Sequence, residues 1–148
     1  MTAFFSIPGR LAALHTAASS WHGTPFFANS CAKGRGVSCQ FLAWAIYTEA
    51  GVVIASPPEV DMSHAKFSRV SLVEPWVDGQ AVFQPIQLEE LEPGDLMGFR
   101  IGKVVHHVGV MLGRGVFLNV VDGTTVQNSY LSDNTWRSRL ARAWRPVE

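Results

Sequence analysis

The hydrophobic and polar positions near the start of the chain follow the spacing of an amphipathic helix. Ser6 and Pro8 are typical of a helix start, and Gly23-Thr24-Pro25 is typical of the break that follows a helix. These signals predict a first helix between them. Its apolar face, at intervals of three or four residues, consists of Leu11, Leu14, Ala18 and Trp21.

A second helix is predicted from Ser38 to Ala50, and Gly51 is placed to end it. Residues 26–38, which precede it, contain Gly34 and Gly36 and predict a loop. Over residues 52–90 the prolines argue against long elements, and only His64–Phe67 predicts a short helix. The apolar face of the second helix consists of Cys39, Leu42, Ala43, Ile46 and Ala50.

From Pro93 onward, apolar runs separated by glycine-containing turns predict a meander of strands. Helices followed by a meander predict an α+β fold, with the N-terminal helices packed on one face of a C-terminal antiparallel β-sheet. We find no internal repeat or linker, so residues 1–148 are predicted to form a single domain. The predicted strands are Asp95–Ile101, Val104–Leu112, Val116–Val121, Thr124–Tyr130 and Ala141–Arg145.

Charge and hydropathy limit the possible partners. The 148 residues include 12 basic and 12 acidic side chains without a basic stripe, which argues against nucleic acid. The four arginines between Arg137 and Arg145 predict a solvated strand edge. No apolar run approaches the roughly 20 residues of a membrane span. Met1–Phe5 lacks a basic segment and Arg10 interrupts the apolar run, so we expect no signal peptide and synthesis in the cytoplasm.

The chain has two cysteines, Cys31 and Cys39. A disulfide between them would close a short loop, but we expect two free thiols because small secreted scaffolds carry more cysteines. The cysteines and histidines lack the paired close spacing of a structural zinc site, so neither a metal nor a cofactor is predicted.

Three polar residues have the types and order of a thiol nucleophile with its base. Cys39 opens the second helix, His107 lies on a predicted strand, and Asn119 lies on the next strand. A three-residue hairpin loop at Gly113-Arg114-Gly115 would pair Leu112 with Val116. That register makes His107 and Asn119 diagonal neighbours on one face, whereas a two-residue loop would separate them.

This set predicts a specific chemistry. Cys39 attacks a carbonyl carbon, His107 transfers the thiol proton to the leaving amine, and Asn119 accepts from the other ring nitrogen. The helix N-terminus and the imidazole should lower the pKa of Cys39 and favour an ion pair with His107. Taken singly, Cys39 also fits a small core residue, and His107 and Asn119 also fit strand residues with backbone partners.

The motifs resemble the NlpC family of papain-like cell-wall peptidases. The resemblance rests on Trp21-His22-Gly23-Thr24-Pro25-Phe26, Lys33-Gly34-Arg35-Gly36-Val37-Ser38-Cys39, Leu91-Glu92-Pro93-Gly94-Asp95-Leu96 and His107-Val108-Gly109-Val110-Met111-Leu112-Gly113. It implies a cysteine peptidase or amidase that cuts peptide bonds in peptidoglycan stem peptides, with Cys39, His107 and Asn119 as catalytic residues. It also implies a sheet of about six antiparallel strands.

The Lys-Gly-x-Gly approach to Cys39 is most similar to the phage and prophage tail branch of that family. This likeness implies possible tail proteins as partners and delivery to the periplasm or cell wall by the virion. The sequence departs from the family at Ser38-Cys39-Gln40-Phe41, where the family usually has Asp-Cys-Ser-Gly, and at Phe26, where an aromatic hydroxyl is common. The expected substrate contacts are Trp21, Phe26, Ser38, Trp44 and His106.

Two other functions remain open from the sequence. The altered cysteine context also fits a structural or assembly subunit of a phage tail that keeps the fold with little or no activity. A thiol nucleophile with a different acceptor would be an acyltransferase or a protein deamidase.

Overall fold

Two helices form the N-terminal part of the fold in a computed structural model that describes residues 1–61 and 68–148. Helix α1 comprises Arg10–Trp21. Its start differs from the prediction: Ser6 ends a short 3-10 turn, and its hydroxyl donates to the carbonyl of Ala3. Gly9 is the N-cap instead, with a φ of 88° that favours glycine.

Helix α2 comprises Cys39–Glu49, one residue inside the predicted bounds at each end. The segment before it is not only a loop. It contains a two-stranded antiparallel hairpin, β1 (Cys31–Ala32) and β2 (Gly36–Val37). Each strand is two residues long, which is too short for side-chain alternation to reveal in a sequence. Both cysteines are free thiols, as predicted.

The C-terminal part is a sheet of six antiparallel strands, with two short helices, α3 (Val73–Asp78) and α4 (Asn134–Arg139). The strand order is β3-β8-β4-β5-β6-β7, so β4 to β7 form the predicted meander. The strands are β3 (Phe83–Pro85), β4 (Leu96–Ile101), β5 (Val104–Gly113), β6 (Val116–Asn119), β7 (Gln127–Tyr130) and β8 (Leu140–Pro146).

Strand β8 departs from the meander and from the predicted solvated edge. It lies between β3 and β4 and pairs with both. Trp144 at its centre is fully buried. Two of its arginines lie against carboxylates: Arg142 contacts Asp78 at 2.9 Å, and Arg145 contacts Asp95 at 2.9 Å. Local sequence does not reveal this placement, because the strand is positioned by pairing with distant residues.

The two faces of the sheet are covered differently. Helices α1 and α2 pack on one face in the main core, which includes Leu14, Ile46 and Val110. The opposite face carries a second apolar cluster, and Trp136 of α4 packs against it. The α+β class with N-terminal helices on one face is confirmed, and α4 is an addition on the other side. The second cluster is built on Met97, Phe99, Met111 and Phe117.

Residues 52–90 contain α3 and β3, which the sequence did not predict. The short helix predicted at His64–Phe67 lies outside the described residues. None of the described helices is both long and apolar enough to span a membrane.

The hairpin between β5 and β6 has the predicted register through a different turn. The turn has two residues, Arg114 and Gly115, both with positive φ, and it pairs Gly113 with Val116. A bulge at Leu112 adds one residue to β5 and restores the pairing of Met111 with Phe117. The predicted three-residue loop is therefore wrong, but the inner register is right.

Candidate active site

The first residue of α2, Cys39, is packed against the sheet. Ser38 ahead of it has extended backbone, and its carbonyl accepts from the N–H of Leu42 at 2.8 Å, which starts the helix. Gly36 lets the chain approach closely, because a Cβ there would lie 2.8 Å from Phe27 Cδ2. Cys39 is only 2% exposed.

The thiol of Cys39 donates to Gln40 Oε1 at 3.6 Å. Gln40 is itself held by Asn29 Oδ1, which accepts from its Nε2 at 3.1 Å. Burial raises the pKa of Cys39 to about 11, and the backbone N–H of Val108 is the first of three that oppose this rise. The expectation of a lowered pKa is therefore wrong in direction, because burial outweighs the helix N-terminus.

His107 lies on β5 and is also buried. The indole of Trp136 stacks on its imidazole, with ring centroids 5.2 Å apart and an interplanar angle of 26°. Burial, and to a smaller extent the positive charge of Arg139, lower the pKa of His107 to about 4. Both Cys39 and His107 are thus neutral near pH 7, which contradicts the expected ion pair.

Asn119 lies beside His107 on the face that the register predicted. Its Nδ2 is 3.1 Å from His107 Nε2, and its Oδ1 accepts from Ser129 Oγ at 2.9 Å. All three side chains are buried. The amide nitrogen faces the ring, whereas we expected the amide oxygen to accept from it. The amide oxygen faces Ser129 instead, whose hydroxyl donates to it.

Cys39 and His107 line one cavity of about 330 Å³. Phe26 and Trp136 supply aromatic walls, and Arg139 is a cation at its edge. The cavity is a concave, largely apolar space with a few convergent polar groups, which is the usual form of a small-molecule or peptide site. The remaining lining residues are Ile101, Val120, Val121 and Asp122.

Two tryptophans predicted as substrate contacts have other surroundings. Trp21 is buried in the main core, and its indole N–H donates to Glu49 at 2.9 Å. Trp44 is half-buried and packs edge-on against Phe41, with ring centroids 6.1 Å apart. Neither lines the cavity that contains Cys39.

His106 and Ser38 were also predicted to contact substrate. His106 is buried and, by strand alternation, faces the opposite side of β5 from His107. Ser38 is buried, and its hydroxyl has no hydrogen-bond partner among the described residues. Among the five expected contacts, Phe26 is the residue that lines the cavity with Cys39.

Trp136, Arg139 and Ser129 were not predicted from the sequence as residues of the site. Trp136 and Arg139 lie on α4, within a segment that we partly assigned to a strand edge. One signal was available: Asp133 caps α4 by accepting from the N–H of Thr135 at 2.9 Å, and such a residue is typical of a helix start. Ser129 had no local signal, because its role depends on the neighbouring strand.

No group of three histidine, cysteine, aspartate or glutamate side chains in residues 1–61 and 68–148 is arranged to hold a metal ion. The polar side chains that line the cavity are those of Cys39, His107, Asp122 and Arg139.

Comparison with known proteins identifies relatives. A family model described as the NlpC/P60 family matches residues 23–145. No match is found among curated proteins. A structure of a lipoprotein-like NLP/P60 family protein from Staphylococcus aureus is 23% identical with a TM-score of 0.69. It is matched over 95% of this chain but over only 42% of its own length.

Two structures from Mycobacterium tuberculosis have similar folds. RipB, described as a peptidoglycan hydrolase, is 16% identical with a TM-score of 0.64, over 97% of this chain and 69% of RipB. RipD, described as a non-catalytic NlpC/p60 domain protein adapted to peptidoglycan binding, is 18% identical with a TM-score of 0.62. That match covers 94% of this chain and 98% of RipD. These similarities confirm the papain-like α+β fold.

Proposed function

Because this chain belongs to the NlpC/P60 family, we propose that it is a cysteine peptidase or amidase that hydrolyses peptide bonds in peptidoglycan stem peptides. One observation carries the proposal: Cys39 and His107 line the same cavity. Asn119 Nδ2 lies 3.1 Å from His107 Nε2, which joins the amide to the imidazole. The description of RipB as a peptidoglycan hydrolase supports the substrate class.

In the proposed reaction, the sulfur of Cys39 attacks the carbonyl carbon of the scissile bond while His107 takes the thiol proton. The tetrahedral intermediate collapses, and His107 gives that proton to the leaving amine. Water then attacks the thioester with His107 as base, and the acid product leaves as the thiol is restored. The backbone N–H of Cys39, at the start of α2, is a suitable donor to the oxyanion.

The resting site is a neutral thiol beside a neutral imidazole, since burial shifts the two pKa values in opposite directions. The proton therefore moves during attack and not before it. A neutral imidazole is the form that can accept a proton, so a low pKa for His107 is compatible with a base. Trp136 and Phe26 line the cavity with apolar rings, and an apolar surrounding strengthens the electrostatic interactions of the reacting groups.

The direct test incubates the reduced protein with defined muropeptides and follows new amino groups and product masses. Wild type should release peptide, and Cys39→Ala should not. Cys31→Ala is the matched control, because Cys31 is exposed and should be dispensable. Equal, background-level products from wild type and Cys39→Ala across several wall chemistries would refute hydrolysis. Products joined to an added amine would instead identify an acyltransferase.

A second candidate is a peptidoglycan-binding or assembly role without cleavage, for example in a phage tail. The observation that favours it is the neutral, buried resting pair, together with the description of RipD as non-catalytic. The likeness of Lys33-Gly34-Arg35-Gly36 to the tail branch supports the tail setting and delivery by the virion. Stem-peptide binding that survives Cys39→Ala, without any product from wild type, is the result expected for this candidate.

A further inference from the structure

A line of buried polar side chains crosses three neighbouring strands. His107 lies on β5, Asn119 on β6 and Ser129 on β7. Asn119 is paired with Gln127, so Ser129 is two residues further along β7 and diagonal to Asn119 on the same face. The contacts, at 2.9 Å from Ser129 Oγ to Asn119 Oδ1 and 3.1 Å from Asn119 Nδ2 to His107 Nε2, make one continuous chain from the Ser129 hydroxyl to the imidazole.

The number of protons in this chain restricts its arrangements. The amide of Asn119 has a donating end, Nδ2, and an accepting end, Oδ1. A neutral imidazole has one donating and one accepting nitrogen, and a serine hydroxyl can donate or accept. A buried polar group without a hydrogen-bond partner is costly, so each donor in the chain must face an acceptor and each acceptor a donor.

Two arrangements satisfy that condition. In the first, which the structure has, Ser129 donates to Asn119 Oδ1, and Nδ2 donates to His107 Nε2. The single ring proton is then on Nδ1. In the second, the amide is turned over, so that Nδ2 donates to Ser129 and Oδ1 accepts from Nε2–H. The ring proton is then on Nε2, and Nδ1 has a free lone pair.

The two arrangements differ in their chemistry. In both arrangements the amide of Asn119 is hydrogen-bonded to Nε2 of His107. Nδ1 is therefore the nitrogen left to accept the thiol proton of Cys39. Only the second arrangement leaves Nδ1 able to do so. The transfer of the thiol proton to Nδ1 rests on the proposed hydrolysis. The arrangement of hydrogen bonds in the resting protein is independent of that proposal.

We propose that Ser129 is a positioning residue: its hydroxyl donates to Asn119 Oδ1, which holds Nδ2 of the amide toward His107 and thereby keeps the ring proton on Nδ1. Ser129 contacts neither the cavity nor Cys39 and acts through Asn119. Its donation favours the resting arrangement with the proton on Nδ1. Rotation of the hydroxyl, with inversion of the amide, converts the site to the form in which His107 is a base.

The test measures the tautomer of His107 by two-dimensional ¹⁵N–¹H NMR on the full-length labelled protein near pH 7, without substrate. Wild type should carry the proton mainly on Nδ1. In Ser129→Ala neither amide orientation has a partner at residue 129. The ratio of the Nδ1-protonated to the Nε2-protonated form of His107 should therefore fall roughly three- to tenfold, toward equality. Ser129→Thr keeps the hydroxyl and should keep the wild-type ratio. An unchanged ratio in Ser129→Ala, or a wild type with its proton on Nε2, overturns the proposal.

Ser129→Cys provides a second measurement if Ser129→Ala does not fold. A thiol is close in size to the hydroxyl but is only a weak hydrogen-bond donor, so the ring proton should again be shared more evenly between Nδ1 and Nε2, and a wild-type ratio overturns the proposal. Muropeptide hydrolysis is assayed on the same samples. A shifted tautomer in a protein without hydrolysis refutes the proposed function and supports the role of Ser129. Hydrolysis with an unchanged tautomer refutes the role of Ser129 alone.

Discussion

Replacing His107 with glutamine should flatten the acid side of the stability curve. His107 has a folded-state pKa of about 4, below its ordinary value of 6.5, because it is buried as the neutral form. The unfolded chain therefore binds a proton that the folded chain does not between these two values. The stability due to this difference is fully present above pH 6.5 and is lost as the pH falls toward 4.

The size of the effect follows from the two pKa values. Proton linkage gives a loss in unfolding free energy of about 2 kcal/mol by pH 5 and about 3 kcal/mol by pH 4, relative to pH 7. Glutamine cannot titrate, so His107→Gln should lack this loss. Glutamine also disturbs the contact with Asn119, which lowers stability at every pH. The quantity to compare between the two proteins is therefore the slope of the unfolding free energy against pH, and not the unfolding free energy at any one pH.

Urea unfolding followed by tryptophan fluorescence, at intervals from pH 7 to pH 4, measures that difference. The exposed His22 supplies the matched control, and His22→Gln should keep the wild-type slope. Parallel curves for wild type and His107→Gln would refute the inference that His107 is buried in the neutral state. A steeper wild-type loss at acid pH is the expected result.

Three further predictions follow from the site and its sheet. Near pH 7, iodoacetamide should modify Cys31 faster than Cys39, because Cys39 is buried with a pKa of about 11. Mass spectrometry reads the two rates separately, and faster labelling of Cys39 would contradict the neutral pair of Cys39 and His107. Arg139→Gln should raise the pKa of His107, because a cation is removed; an NMR titration that shows no rise would contradict this. Gly109→Ala should destabilise the fold by about 1–3 kcal/mol in urea unfolding, because the added Cβ would lie 2.8 Å from Phe117 Cδ2; unchanged stability would contradict the close packing.

The sequence predicted the elements whose side chains have a clear periodicity. Helix α2 and strands β4 and β5 were found nearly to the residue, because their apolar positions alternate or recur over several turns. The contact between His107 and Asn119 was predicted from a hairpin register that depended on a three-residue loop, and the register is right although that loop is wrong. What the periodicity could not reveal was the order of strands, since β8 pairs with β3 and β4 across long stretches of chain.

The charge states of the site could not be predicted from residue types. A cysteine at a helix start beside a histidine favours an ion pair only when water or other charges stabilise both ions. Here Trp136 stacks on the imidazole, and that residue was in a segment assigned to no helix. The depth of burial, which decides both pKa values, is a property of the packed structure. The roles of the individual residues in catalysis remain predictions.

The bulge at Leu112 limits the sequence changes that the hairpin between β5 and β6 can accept. Because the turn is short and the bulge supplies the extra residue, the relative facing of His107 and Asn119 depends on the number of residues between them. Substitutions at Arg114 that tolerate positive φ would be nearly neutral for the site. Insertion or deletion of one residue in the regular pairing between the bulge and these two side chains would turn one of them to the opposite face, so that part of the hairpin can accept changes of residue type far more readily than changes of length.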